Sequence, residues 1–343
     1  MSKTHDLRCN AASLAAAFLL ACGNQGGGDG AKVVDAGKTG GGTGGAQSTS
    51  TRVNLFIPQT TGGASNVDGG ATGGGPTETP WPPSTDYVNV TDVTYGAYAL
   101  GPQIVNGVVP ANTSTTCVGL LYGVVRDFNM GSQTGGHPDF ETAPDSTSQN
   151  GVLGIVQSTL GPDGKPAYNN PTDPLAGTNG QSYFDQWYND TTGVNMTYVV
   201  ALKLTTNSGI STFSASINNG TGLQNSSYFP LDGAGFGNQG QNHNFSFTTE
   251  IHTAFTYHGG ETFTFDGDDD IWVFINKQLV IDLGGRHAQL KGSISVDSLG
   301  LTIGQTYDLA IFNAERHTVQ SNFRIDTSLT FVNCGVIIPN PVT

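Results

Sequence analysis

The sequence predicts an all-β protein, an antiparallel β-sandwich with long loops, preceded by a disordered tether. Two observations predict the sandwich. Only 36% of the 343 residues are apolar and 12% are charged, and short apolar runs with period-two alternation recur between turn residues. The third observation is a Gly-rich amino-terminal stretch, which cannot bury enough apolar surface to fold.

Residues 1–22 have the pattern of an export signal. Lys3 and Arg8 precede an Ala- and Leu-rich run that ends in Leu19-Leu20-Ala21-Cys22, which resembles a bacterial lipobox. The run is too short to span a bilayer permanently. We therefore expect an exported protein anchored by a lipid on Cys22 at the bacterial outer membrane or cell surface. An ordinary cleaved signal with a chance Cys is the alternative.

Residues 23–85 are predicted to be a flexible tether between this anchor and the folded domain. An apolar island at 53–57 interrupts the Gly-rich runs, and the sequence does not decide whether it docks on the domain. A cluster of Pro residues at 80–83 ends the tether. The folded domain is expected to occupy residues 86–343.

Short runs rich in Val, Ile, Thr and Phe predict the strands. They are Tyr87–Val93, Cys117–Val125, Met196–Leu204, Phe245–Tyr257, Thr262–Phe265, Ile271–Ile275, Gln278–Leu283, Ser293–Val296, Thr306–Phe312 and Ser321–Phe331. One helical stretch is plausible at Ser182–Tyr188. Many short strands with turn signals between them are typical of a sandwich or a closed barrel.

Two cysteines remain once Cys9 leaves with the signal and Cys22 carries the lipid. Cys117 and Cys334 bracket the predicted domain, and in an oxidising compartment they should pair. Two unpaired buried thiols are the alternative.

The net charge is −14 and the isoelectric point is near 4.6. This balance argues against nucleic acid as a partner, because phosphates require Lys and Arg. It is consistent either with general solubility or with local carboxylate clusters that bind a cation.

The segment 262–287 predicts a strand, an acidic turn, a second strand, a tight turn at Asn276-Lys277-Gln278 and a third strand. The acidic turn holds Asp266, Asp268, Asp269 and Asp270. Adjacent carboxylates repel one another unless a cation or hydrogen-bond donors screen them. Calcium takes six to eight oxygen ligands and suits such a loop, while a solvated acidic turn is the simpler interpretation.

This segment resembles the fibro-slime domain, a relative of the protective-antigen (PA-fourteen) domain superfamily of adhesins and carbohydrate-binding modules. Three further segments carry the resemblance in the family's order: 136–141 (GHPDFE), 183–188 (YFDQWY) and 312–317 (FNAERH) followed by Ser321-Asn322-Phe323. Together they extend over residues 117–334. The resemblance implies an antiparallel, lectin-like β-sandwich.

In sugar-binding members of the superfamily, paired Asp residues hold calcium, and the calcium bridges sugar hydroxyls. The resemblance assigns that pair to Asp268-Asp269, with a shift to Asp269-Asp270 left open. It places further oxygen ligands on a second loop at Asn313, Glu315 and Asn322. The Glu315-Arg316-His317 stretch departs from the yeast adhesin pattern.

Other side chains near these loops are candidates for ligand contact. Asp266 either contributes to the site or only shapes the turn. Arg286, His287, Arg316 and His317 end the two loops, where they either pair with carboxylates or touch the ligand. Trp187 is a candidate for stacking on a sugar face, with core packing as the alternative, and the same choice applies to Tyr188, Tyr257 and Trp272.

The predicted function is calcium-dependent carbohydrate binding or adhesion at the cell surface, with a polysaccharide or glycan as partner and no catalysis. A structural matrix protein without a sugar site is the main alternative. Glycoside hydrolysis would need two carboxylates flanking the sugar bond, and the candidates are Asp139, Glu141, Asp185, Glu250, Glu261 and Glu315. No metalloprotease-type His pair and no nucleophile-elbow motif occurs in the sequence.

Overall fold

A computed structural model describes residues 98–108, 119–141, 150–215, 217–218, 224–225, 228–318, 320–335 and 337. Several predictions fall outside these residues. They are the export signal with Cys22, the tether with its 53–57 island, the first predicted strand, and Cys117.

The described part of the chain is built almost entirely of strands. In chain order they are β1 Tyr98–Ile104, β2 Leu120–Phe128, β3 Val156–Leu160, β4 Pro166–Tyr168, β5 Asn195–Lys203, β6 Thr205–Asn207, β7 Ile210–Ser214, β8 Ile217–Asn218, β9 Gln224–Asn225, β10 Phe247–Thr256, β11 Thr262–Gly267, β12 Asp270–Ile275, β13 Gln278–Leu283, β14 Leu290–Ser295, β15 Thr306–Glu315, β16 Phe323–Thr327 and β17 Thr330–Phe331. One α-helix, α1, spans Gln181–Phe184. Short 3-10 turns lie at Pro174–Ala176 and Val296–Leu299.

The strands form two main sheets. The larger has ten strands, ordered β1-β5-β2-β10-β15-β12-β13-β3-β4, with β17 paired to β10. The smaller has five strands, ordered β14-β11-β16-β7-β6, and β8 pairs with β9 separately. Paired strands run antiparallel in both sheets. The predicted antiparallel β fold is confirmed.

The main core lies between the two sheets. From the larger sheet, alternate residues such as Ile271 and Ile311 contribute, and from the smaller sheet Phe263, Phe265 and Ile325. These side chains are at most 1% exposed. Because side chains alternate along a strand, period-two burial of this kind fixes the register of each strand.

Strand β12 is buried on both faces. Ile271 and Val273 face the main core, whereas Trp272 and Phe274 face a second core on the outer side of the larger sheet. The long excursion between β2 and β5 covers that outer side with aromatic residues, including Phe140 and Trp187. Two-sided burial explains why the sequence of β12 reads as a continuous apolar run.

The turn between β12 and β13 is the hairpin that the sequence predicts. Asn276 and Lys277 both have left-handed backbone conformations, with φ of 49° and 64°, as a type I′ turn requires. The helical stretch is shorter than predicted, since α1 ends at Phe184 and the chain continues in turns through Tyr188.

Cys334 is buried and disulfide-bonded. Its predicted pairing with Cys117 stays a prediction, because Cys117 lies outside the described residues. Within the described ranges, no helix combines the length and the apolar character that crossing a membrane requires.

Candidate functional site

The acidic turn lies where the chain passes from one sheet to the other. Strand β11 belongs to the smaller sheet and β12 to the larger, and Asp268 and Asp269 join them. Asp269 has φ of 51°, a left-handed conformation in which Asp is tolerated better than most residues. The turn therefore reverses the chain tightly and places neighbouring carboxylates close together.

A second crossing lies beside the first. Strand β15 pairs with β12 in the larger sheet and β16 pairs with β11 in the smaller sheet. The segment that joins β15 to β16 therefore connects the same two sheets at the same end. It begins after Glu315 and reaches β16 through Asn322. The topology brings together the two loops that the resemblance assigns to one site.

Asp268 is bound by the second crossing. Its carboxylate accepts hydrogen bonds from the backbone N–H of Asn322 at 2.5 Å and from the Asn322 side-chain amide at 3.0 Å. Asp268 and Asn322 are 3% and 4% exposed. The side-chain nitrogen of Asn322 is thus committed to Asp268, which leaves its carbonyl oxygen directed elsewhere.

Arg316 orders the other two carboxylates of the turn. Its backbone N–H donates to Oδ2 of Asp269 at 2.8 Å, and its Nε donates to Oδ2 of Asp270 at 2.6 Å. The other oxygen of Asp270 accepts from the backbone N–H of Gly285 at 2.6 Å. Both oxygens of Asp270 are therefore engaged, one of them in a buried ion pair, and its role as a metal ligand stays a prediction. Asn313 likewise donates its amide to the backbone carbonyl of Asp270 at 3.3 Å.

The remaining carboxylates are buried close to one another. Burial raises the pKa of Asp268 to about 6. Burial and the charge of Asp268 raise the pKa of Asp269 well above its usual range. Burial and the charges of Asp269 and Asp268 do the same for the pKa of Glu315. These three groups are costly to ionise together without a compensating cation.

Two oxygens at this place have no hydrogen-bond partner. Oε1 of Glu315 and Oδ1 of Asn322 are buried and unpaired. Unpaired buried acceptors cost free energy, typically about 1–3 kcal/mol each. In proteins, such atoms often mark an ion or water site.

The six-residue metal shell expected from the sequence is not assembled. Among the residues described, no group of three or more His, Cys, Asp or Glu side chains converges closely enough to hold a metal ion. Asp270 and Asn313 are engaged in other bonds. The candidates left are Asp268, Asp269, Glu315 and Asn322, a mixed set of carboxylate and amide oxygens that suits a hard cation such as calcium.

Trp187 does not fit its predicted role as a stacking platform. Its side chain is 0% exposed, its Nε1 donates to Asp139 at 2.9 Å, and the Arg316 guanidinium lies 4.5 Å from its ring centre. It supports Arg316 from within the second core. Trp272 is also fully buried, and its indole N–H donates to Asp282 at 3.0 Å.

Of the other residues predicted to contact the ligand, some are buried and some are partly exposed. Arg286 and His287 are buried, and the guanidinium groups of Arg286 and Arg316 both border Gly177. The ring nitrogens of His287 lie 2.8 and 3.2 Å from the carbonyls of Ala288 and Leu283. Asp266 and His317 are partly exposed. Ligand contact by these residues stays a prediction.

Several carboxylates considered for hydrolysis have structural partners. Asp139 binds Trp187 and the side-chain amide of Asn179. Glu261 accepts backbone N–H bonds from residues 258 and 259 at 2.7 Å. Glu250 is enclosed by cations. Fixed, fully bonded carboxylates of this kind orient loops and strands.

Sequence reasoning missed the buried network around Glu250. Its carboxylate pairs with Arg126 at 2.7 Å and also with Lys165, and His252 lies 2.7 Å from it. Arg126 also binds Asp190 at 2.9 Å. A lone Lys in the turn 161–165 (GPDGK) carries no sequence signal for burial, since Lys in such turns is usually solvated.

A family model matches the part of the chain that holds the two crossings. Residues 179–342 match the PA14 domain. The matched segment is a little under half of the chain and contains both crossings. This match supports the resemblance to the protective-antigen superfamily, while the narrower fibro-slime assignment stays a prediction.

Curated relatives come from Dictyostelium discoideum. The chain is 43% identical to protein psiD over 218 residues, which is 58% of this chain and 41% of psiD. It is 40% identical to protein psiR over 218 residues (58% of this chain, 21% of psiR) and 37% identical to protein psiC over 231 residues (59% and 41%). The chain spans less than half the length of each of these relatives.

Two solved structures align with part of this chain. The PA14 domain of the MpAFP antifreeze protein aligns over 69% of this chain and 100% of its own length, at 9% identity and a TM-score of 0.27. A β-glucosidase from Kluyveromyces marxianus aligns over 24% of this chain and 11% of its own, at 13% identity and a TM-score of 0.18. Likenesses this low carry no conclusion about activity.

Proposed function

We propose that this chain is a non-catalytic module that binds carbohydrate for adhesion, through a calcium ion that draws together side chains of the two crossings, which do not converge on a metal position among the described residues. The observation that carries the proposal is the pair of unpaired buried oxygens, on Glu315 and Asn322, beside the carboxylates of Asp268 and Asp269. The PA14 match over the same segment supports it.

The physical reasoning concerns charge and vacant coordination. Burial raises the pKa values of all three carboxylates, and the charge of Asp268 raises those of Asp269 and Glu315 further, so a dication would stabilise their ionised forms. Calcium accepts six to eight oxygens. Asp268, Asp269, Glu315 and Asn322 need not supply all of them. The positions left over could take water or two vicinal sugar hydroxyls, whose spacing would give stereochemical selectivity.

Access to such an ion is narrow. Asp268, Asp269 and Asn322 retain 3–4% exposure. Most of the coordination shell of the ion would therefore be buried, and only its outermost positions would face solvent. Asp266 and His317, which are partly exposed and adjoin the two crossings in sequence, are the side chains that we propose to contact the sugar directly.

The cellular setting belongs to the same proposal. Export, lipid attachment at Cys22 and a long tether at 23–85 would place the module away from the membrane, where it could reach a polysaccharide. A lipid anchor would be its only contact with the membrane.

The test is a calorimetric calcium titration of the purified metal-free protein, followed by a glycan array with calcium and with a chelator. We expect one bound calcium per chain and glycan signals that the chelator removes. A protein that binds no calcium and no glycan would contradict the proposal and favour a structural matrix role. New reducing ends on incubation with polysaccharides would contradict the non-catalytic part.

A further inference from the structure

A cavity of about 420 Å³ lies away from the two crossings. The hairpin β3–β4 forms one wall, and the segment that contains α1 forms the other. Its volume lies within the range of about 300–1,000 Å³ that is usual for small-molecule sites. Its polar lining includes Gln157, Asp163, Gln181, Asp185 and Asn189.

We propose that this cavity is a second carbohydrate site, which takes a neutral sugar unit without calcium. The proposal extends the function proposed above, since it assigns the module a second contact with the same class of ligand. The argument rests on the charges of the cavity, its aromatic wall and its fixed shape.

The charges of the cavity disfavour an anion. Asp163 and Asp185 both line it, and burial together with the charge of Asp163 raises the pKa of Asp185. The ammonium of Lys165 faces inward and pairs with Glu250, so it offers little attraction to a negative ligand. Hydroxyl groups both donate and accept hydrogen bonds. They are therefore suited to carboxylates, which accept hydrogen bonds, and to side-chain amides, which donate and accept them.

The aromatic wall disfavours a ligand that is polar on every side. Tyr168 and Phe184 line the cavity with ring centres 5.1 Å apart. The Tyr168 hydroxyl is held 2.8 Å from that of Thr178, which fixes the ring. A pyranose has an apolar face for the Tyr168 ring, which is partly exposed and backed by the buried Phe184, and equatorial hydroxyls for the surrounding amides and carboxylates.

The cavity is held in shape by the turn 161–165. Within the turn, Gly161 donates to the carbonyl of Lys165 at 2.7 Å, and the N–H of Lys165 donates to Asp163 at 3.1 Å. The Lys165 side chain, 3% exposed, then ties the turn to Glu250 in the larger sheet. A preformed cavity loses less entropy when it binds.

The two proposed sites lie on opposite sides of one aromatic layer. Phe184 lines the cavity, whereas Trp187, with its ring centre 4.8 Å from that of Phe184, packs under Arg316 next to the acidic turn. A substitution in the cavity should therefore leave the carboxylates of the turn in place, so the two sites can be tested separately.

The experiment uses the full chain in a calcium chelator and four probes: neutral oligosaccharides of glucose, galactose and mannose, and an anionic uronic acid oligomer. Binding is measured by saturation-transfer NMR and calorimetry. We expect a neutral oligosaccharide to bind, and Asp185→Ala to weaken that binding about ten- to a hundredfold, as for the loss of a hydrogen bond to a charged group. Gln157→Ala, a second exposed position, should weaken it by a smaller factor.

Two controls separate this site from its neighbours. Asp308→Ala removes a carboxylate from an adjacent cavity of about 250 Å³ and should leave binding unchanged. Asp269→Asn should also leave it unchanged, even if calcium binding is lost. The inference is overturned if no neutral oligosaccharide binds in chelator, if only the uronic acid oligomer binds, or if Asp185→Ala and Gln157→Ala both bind as the unaltered chain does. Failure of the calcium titration alone would overturn only the function proposed above.

Discussion

Replacing Asp269 by Asn should change calcium binding and metal-free stability in opposite directions. The carboxylate is 4% exposed and lies beside Asp268, and burial raises its pKa well above the usual range. An Asn side chain keeps an oxygen that can accept the Arg316 backbone N–H, now 2.8 Å from Oδ2. The substitution therefore removes one charge with little change in shape.

The magnitude follows from the electrostatics of the turn. The pKa of Asp268 rises from 3.8 to about 6, which corresponds to about 3 kcal/mol of disfavoured ionisation. Asp269 is buried in the same turn, and the charge of Asp268 further disfavours its ionised form, so replacing it by a neutral amide should return about 1–3 kcal/mol to the metal-free protein at pH 7. For a domain of this size that is roughly 2–10 °C in Tm. Losing a charged partner from a buried ion costs about 3–5 kcal/mol, so calcium affinity should fall at least about a hundredfold.

The assay pairs calorimetric calcium titration with thermal unfolding in metal-free buffer at pH 7. Asp326→Asn is the matched control, because Asp326 lies on neighbouring β16 and binds Arg324 away from the turn. It should leave calcium affinity unchanged. Calcium affinity that Asp269→Asn does not alter, combined with a lower metal-free Tm, would refute the reasoning.

Three further changes test the same region. Burial raises the pKa of Asp268 to about 6 and that of Asp127 to about 7. Both folded-state pKa values exceed the unfolded value, so the stability that these two groups contribute is lost as pH rises through about 6 and 7. The metal-free Tm should therefore fall between pH 5 and pH 7.5. A Tm that rises over this range would contradict the assigned burial. Arg316→Lys keeps the charge but removes hydrogen bonds to the backbone carbonyls of Gly177 and Ala176 and should cost about 2–4 kcal/mol, because a buried acceptor left unpaired costs about 1–3 kcal/mol; an unchanged Tm would contradict this. Gly267→Ala places a Cβ 2.6 Å from the Asn322 carbonyl, so calcium titration should show weaker binding, and normal affinity would exclude close packing there.

The sequence predicts most of the central strands correctly, because their signals are local. Gln278–Leu283 is predicted with the bounds that β13 has in the structure, and the runs at β10, β11, β12 and β15 fall within a few residues of their observed ends. The short strands β3, β4 and β6 were missed, since they are at most five residues long and lack a clear period-two pattern.

The candidate site can be predicted only in part from the sequence. The acidic turn is visible as a run of Asp residues, but nothing local indicates that Arg316 binds Asp270 across 46 residues or that Asn322 binds Asp268 across 54. Those pairings depend on which strands are neighbours in each sheet. The sequence likewise leaves open whether Trp187 stacks on a ligand or packs in a core, because both kinds of aromatic residue have the same sequence pattern; in the structure it is buried.

The two-sided burial of β12 sets the limits of the smallest piece of this protein that can fold autonomously. The PA14 match begins at residue 179, so a fragment cut there would lack Phe128, Phe140 and Ile155, which belong to the same second core as Trp272 and Phe274. It would also lack β2, the strand between β5 and β10 in the larger sheet, and the strand edges and apolar side chains exposed in this way invite aggregation. A boundary drawn by sequence similarity thus divides a single cooperative unit, and a soluble fragment should begin no later than residue 98.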